Sequence, residues 1–184
     1  MGTYRQAVVD LEASGDEAVA LGERGRAWLE AEGVIRPVPW RGDVVHLAGP
    51  RWREAVELPS WDWRARIVAL EEEPGGEVEV VTGRTIFFSG LSEAPVAICP
   101  HCRHTDPAWP GGAVDAWHAT GAADLDCPAC GRRSPLPQWD WTGDSLAFAH
   151  LGFEFDDWPP LLPDFTAALG RELGHRIRQF AHTI

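Results

Sequence analysis

Lysine is missing altogether from this 184-residue chain, whose sixteen basic residues are all arginine. A Gly-x-x-x-x-Gly-Lys phosphate loop is therefore impossible. Serine is sparse, and no Gly-x-Ser-x-Gly nucleophile elbow appears. Positive charge is also short. Residues 1–90 hold sixteen acids against ten arginines and residues 91–184 twelve against six, so each half carries −6 of the net −12. Nucleic-acid binding rests on neutralising phosphates with basic side chains, so an acidic chain without a basic stripe argues against it. No apolar run approaches the roughly 20 residues that span a bilayer. The longest are strand-sized, such as 78–81 interrupted by Glu79. The first residues, Met1 to Gln6, lack a basic stretch followed by an apolar one, and Gln6 stands where a myristoylation motif wants Ser or Thr. The expectation is a cytoplasmic protein with no membrane attachment.

What the chain does have is apolar bulk. It is 45% hydrophobic, with ten Trp and seven Phe, enough for the core of one domain over residues 1–184. Residues 3–33 read as two helices. Thr3 is placed to cap the first, over 4–13. Asp16 is placed to cap the second, over 17–32, which puts Leu21, Trp28 and Leu29 on one face and stops at Gly33. Gly22 and Gly25 weaken that second helix, unless they admit a neighbouring element closely. A Pro-punctuated stretch over 35–40 leads into strands at 44–47, 63–70, 78–81 and 85–88, with Glu73-Pro74-Gly75-Gly76 as a hairpin turn. Further short strands are predicted at 139–141, 146–148 and 153–155. A helix over 163–173 repeats Phe165, Leu169 and Leu173 and ends at Gly174, and a last strand follows over 176–181. The fold class is α+β: N-terminal helices, an antiparallel sheet and one C-terminal helix, with a metal module inserted at 96–133.

That module is Cys99-Pro100-His101-Cys102, 24 residues, then Cys127-Pro128-Ala129-Cys130-Gly131. Two residues between paired cysteines let both sulfurs reach one ion, and zinc takes four thiolates tetrahedrally. The pattern resembles the rubredoxin-type knuckle of zinc ribbons. The second half fits closely, with Gly131 where the turn needs a positive φ; the first half departs from it, with Arg103 in that place. The resemblance implies a structural Zn2+ on Cys99, Cys102, Cys127 and Cys130, and no activity. Iron would use the same sulfurs, so the metal is open at this point. Paired disulfides would need an oxidising compartment, which nothing here argues for. The spacer, with Pro107, Trp109, Pro110, Gly111 and Gly112, is expected to form a loop and a short hairpin. His101, His104 and His118 lie near the module and are expected to be exposed or packing imidazoles.

Leu58-Pro59-Ser60-Trp61-Asp62-Trp63 recurs as Leu136-Pro137-Gln138-Trp139-Asp140-Trp141. In a strand, Trp61 with Trp63 and Trp139 with Trp141 would each stand side by side with the Asp opposite. Such pairs either fill a core or form an aromatic platform for a partner. Asp156 and Asp157 are either an acidic edge used in binding or a polar strand end, and Glu71-Glu72-Glu73 reads as a solvated hairpin end. The segment 153–165 resembles the ends of bacterial proteins of uncharacterised function and adds no activity.

No catalytic constellation stands out. The reading that follows is an acidic protein-binding protein, of the kind that inhibits or confers immunity by masking a basic partner. The partner-contact candidates are Trp61, Trp63, Trp139, Trp141, Asp156 and Asp157. One alternative is an enzyme or enzyme subunit using carboxylates on the sheet. The other is a nucleic-acid-binding ribbon. Within 99–133, three arginines face four aspartates, and four thiolates on one Zn2+ add two negative charges, leaving the module at about −3.

Overall fold

The computed structural model describes residues 4–57, 74–90, 95–108 and 110–183. The strand expected over 63–70, the first Trp-Asp-Trp copy with Trp61 and Trp63, the three glutamates at 71–73 and Trp109 lie outside them. The fold is α+β, with three helices among the described residues and several antiparallel sheets.

The first expected helix is instead strand β1, Tyr4–Asp10. Its residues include good helix formers, but Val8 and Val9 are β-branched and both faces of the strand are buried. The alternation that marks a half-exposed strand is therefore lost. β1 is central to the main sheet, ordered β11-β1-β10-β4, with β4 Val78–Phe88, β10 Leu146–Asp156 and β11 Ile177–Thr183. The short strands expected at 78–81 and 85–88 are the two halves of β4, and those at 146–148 and 153–155 the two halves of β10. The irregularity responsible lies between Ala149 and Leu151, opposite Gly83 at φ 99°.

Helix α1, Ala18–Ala31, forms as expected, but its cap differs. Ser14 Oγ donates to the Glu17 carboxylate at 2.6 Å, and the Ser14 backbone N–H donates to the same group at 3.2 Å. This is the reach-back half of a capping box, in place of Asp16. Gly33 ends the helix at φ 69°. α1 lies against the sheet through its glycines. A Cβ on Gly25 would come within 2.4 Å of the Phe153 ring, and one on Gly22 within 2.8 Å of Val80. The last helix, α3 in this structure, spans Pro163–Leu173 as the sequence predicts. It buries Leu169 and Leu173, and Phe165 stacks on Trp28 with centroids 5.9 Å apart.

The sheet has two differently filled faces. Val8, Leu151, Phe153 and Phe155 point toward α1 and α3, where Trp52 and Trp158 complete the core. Ala7, Val9, Ala147, Ala149, Phe87 and Phe180 form a separate cluster on the other face. Period-2 alternation would give Ala147, Ala149 and Leu151 one face, so the phase of β10 changes at the irregularity. The sheet also curls. Gly90, just past edge strand β4, donates its N–H to the Ala181 carbonyl of the opposite edge strand β11 at 3.2 Å. Small residues line the inside of that curl, and a Cβ on Gly152 would strike the Phe87 ring at 2.5 Å.

Gln6 is a buried polar hub within β1. Its amide nitrogen donates to the carbonyls of Trp158 and Pro159 at 3.1 and 2.6 Å. Its oxygen accepts from the Leu161 N–H and from Gln179, both at 3.1 Å. These bonds fasten the Pro159-Pro160 segment beneath the sheet.

The stretch read as Pro-punctuated is strand β2, Ile35–Trp40, paired with β3, Asp43–Ala48, across Arg41-Gly42. Both turn residues have positive φ, 51° and 99°, as a two-residue hairpin turn of the right twist requires. Such a turn makes Trp40 and Asp43 a hydrogen-bonded pair, so the alternating Val38 and Arg36 bond inward as well. Gly49 N–H donating to the Val34 carbonyl at 2.7 Å continues that phase. Pro37 and Pro39 therefore turn their nitrogens to the outer edge. At the tip Trp40 and Val44 are exposed.

Candidate metal centre

Each cysteine pair sits in the turn of a very short hairpin. β5, Ala97–Ile98, leads into Cys99 and β6, Thr105–Asp106, leaves the first turn. β7, Asp124–Asp126, leads into Cys127 and β8, Arg133–Pro135, leaves the second. The two turns share one hydrogen-bond pattern. Cys99 N–H donates to the His104 carbonyl at 2.9 Å and Arg103 N–H to the Cys99 carbonyl at 3.1 Å. Cys127 N–H donates to the Arg132 carbonyl at 2.9 Å and Gly131 N–H to the Cys127 carbonyl at 2.8 Å. The match extends to backbone angle: Arg103 has φ 61° and Gly131 φ 67°. The missing glycine in the first half therefore leaves the knuckle intact, at a cost of about 1–2 kcal/mol for an L-residue in the left-handed region.

The four sulfurs lie within 4.8 Å of one another. Cys99 and Cys130 are 3.9 Å apart, Cys102 and Cys127 3.6 Å. A tetrahedral ion with metal–sulfur bonds of about 2.3 Å places its sulfurs about 3.8 Å apart, whereas a disulfide needs about 2.05 Å. The donor set thus fits one thiophilic ion and closes its coordination. Cys99 and Cys127 are buried, while Cys102 and Cys130 face solvent. Burial pushes the Cys99 thiol up, but the backbone N–H groups of Cys102 and His101 and the neighbouring thiols outweigh it and hold it at about 7. Cys102 accepts a backbone bond from His104, which favours its thiolate. Burial and the thiols of Cys127, Cys130 and Cys99 act against it and push it up to about 12. Among the sulfurs alone, one thiolate opposes the next, and a divalent cation removes that opposition.

The spacer holds helix α2, Gly111–Thr120, in place of the expected loop and hairpin, and it ends at Gly121 with φ 79°. Trp117 is its buried residue, packed edge-on against Phe148 at 5.3 Å. Around it gather Ala97, Cys99, Cys127, Leu136, Trp139, Trp141 and Leu146. This cluster extends past residue 133 onto β10 itself. His101 is exposed, with Nε2 2.8 Å from the buried Ser134 hydroxyl.

The remaining candidates are placed as follows. Trp139 and Trp141, 4% and 1% exposed, fill the cluster around Cys99. Asp140 between them, at the start of the two-residue strand β9 with Trp141, turns outward to two arginines. It accepts from Arg103 of the first knuckle and from Arg178 of β11 at 3.2 Å. Asp156 receives a two-pronged bond from Arg5 at 2.6 and 3.1 Å. Asp157 accepts from the Tyr4 backbone N–H at 3.1 Å and returns its own N–H to the Tyr4 carbonyl at 2.7 Å. Both acids thus fasten the sheet end. Sequence reasoning missed Gln6 and the Arg103–Asp140–Arg178 group, because their partners lie 37 to 173 residues away along the chain.

Comparison with protein-family models, with curated proteins and with solved structures finds no match to this chain. The knuckle therefore rests on the geometry of the four cysteines.

Proposed function

We propose that the four cysteines hold one structural Zn2+ and that the protein works by binding another protein, as an acidic inhibitor or immunity-type protein that masks a basic partner. The observation that carries the reading is a closed four-thiolate site on a chain of net charge −12. Four cysteine ligands leave no open position for a substrate, as a catalytic zinc requires. Many of the arginines are taken up by the chain's own acids, as in Arg51 with Glu54, Arg133 with Asp126 and Arg176 with Glu12. The field left for a partner is therefore negative, which speeds association with a cationic protein. Zinc is favoured over iron because the ion here has only to close a fold.

Two measurements test this. Native mass spectrometry of the purified protein is expected to show one zinc per chain, removed by a strong chelator; bound iron, or no metal, contradicts the assignment. Tagged protein in lysate of its source cells at low salt is expected to retain one basic protein in near-equal amount. That complex, rebuilt from purified components, should associate more slowly as salt rises. An association rate indifferent to salt contradicts the electrostatic reading.

A further inference from the structure

A groove of about 660 Å³ runs between the zinc cluster and the curled end of the sheet. Its volume is that of sites that take small molecules. Three arginines line it: Arg103 from the first knuckle, and Arg176 and Arg178 from just before and just inside the start of β11. Two carboxylates among the lining answer them. Asp140 accepts from Arg103 and Arg178, and Glu12 accepts from Arg176 at 2.9 Å. Asp144, at the exposed rim, reaches Arg178 at 3.5 Å. The lining thus carries three cations against two anions, in a chain whose acids outnumber its bases 28 to 16. Each guanidinium has five N–H donors in a planar fork, more than these carboxylates engage. Pro100, Pro135 and Pro137, all at least partly exposed, supply apolar surface beside them.

Arg103 carries the argument furthest. Its backbone holds the left-handed conformation that Gly131 holds in the matching knuckle, so the turn by itself asks for glycine. The arginine there adds a side chain, and that side chain lies at the groove against Asp140. We propose that the groove binds a small molecule bearing an oxyanion, a phosphate or carboxylate, on an apolar body, with Arg103, Arg176 and Arg178 receiving the anion and the side lined by Pro100, Pro135 and Pro137 receiving the body. The proposal is independent of the partner-protein reading above. A purely architectural role, with Arg103 clamping the knuckle to the sheet through Asp140, is the competing account.

Calorimetric titration of the purified full-length protein at low salt decides between them, with inorganic phosphate, phenyl phosphate and benzoate as probes. Saturable one-to-one binding of phenyl phosphate or benzoate is expected, about tenfold tighter than inorganic phosphate. Which of the two organic probes binds assigns the anion as phosphate or carboxylate. Arg103→Gly removes the cation and relieves the backbone at once. It should keep metal content and melting temperature while weakening the probe about tenfold. Arg176→Gln, on an exposed side chain, should weaken it severalfold and serves if the first variant fails to fold. No saturation by any probe up to about 10 mM, or affinities unchanged in the folded variants, overturns the proposal and leaves the clamp.

Discussion

The core beneath α1 and α3 and the cluster around the cysteines are held together by different means. The first is built from strands of seven to eleven residues and helices of eleven and fourteen, closed by side chains such as Phe153, Phe155 and Leu169. The second has strands of two and three residues, too short for cooperative pairing, around one helix whose buried residue is Trp117. Its apolar residues do pack, and among the described residues its strand pairing joins the two knuckles only through the two-residue pairing of β5 with β9. The four sulfurs, within 4.8 Å of one another, are a second link between them. Burial suffices where regular elements are long, and where they are not the four cysteines are placed so that an ion could substitute.

The largest effect should separate the two regions. Cys127→Ser removes a ligand of the proposed metal site, and a structural zinc site contributes folding energy of order 10 kcal/mol in zinc-finger peptides. The expected outcome is loss of bound metal and of amide protection in 97–141, with protection retained in β1, β10 and α1. Hydrogen exchange read by mass spectrometry checks it; uniform loss everywhere would mean that the two regions fold as one. Gln6→Leu strikes the other region. It leaves the Leu161 N–H and the carbonyls of Trp158 and Pro159 without their partner, and should cost about 3 kcal/mol in urea denaturation while metal content stays unchanged. Gly25→Ala should cost about 2 kcal/mol by forcing α1 off the Phe153 ring, read in the same way.

The smallest effect concerns Glu154, which faces Glu79 across β10 and β4. Burial raises its pKa above the ordinary 4.5, Arg5 lowers it, and Glu79 and Asp156 raise it further. A carboxyl raised on folding contributes stability that is present below pH 4.5 and lost as pH rises through its folded value. At neutral pH the ionised group is therefore a penalty. Glu154→Gln should stabilise the protein there by about 0.5 kcal/mol and flatten the fall in stability between pH 4.5 and neutrality. Denaturant midpoints at several pH values check the sign.

The legible parts of the chain were those whose signals are local. The Cys-x-x-Cys pairs fix their ligand atoms within four residues, and α3 announces itself by a proline at its start, a four-residue apolar repeat and Gly174 at its end. β1 was not legible, because a central strand buried on both faces loses its alternation and Tyr4–Asp10 carries no turn residue at its start. α2 was missed because Pro110, Gly111 and Gly112 open it. Its available signals were the alanines at 113, 116 and 119 and the stop at Gly121. Gln6 looks like any polar residue until the Pro159-Pro160 segment is brought beneath it. Arg103 looks like a defect in a knuckle until Asp140 and Arg178 stand beside it.

The hairpin of β2 and β3 has a consequence for self-association. Its tip shows Trp40 and Val44 to solvent, the sort of apolar strand end on which copies of a chain begin to polymerise. Along the outer edge of β2, however, Pro37 and Pro39 put pyrrolidine rings where an incoming strand would need N–H donors. An incoming strand would find two successive acceptors unanswered and would have to bend around two rings. The edge that carries the exposed Trp40 is thus closed to templated growth by two prolines.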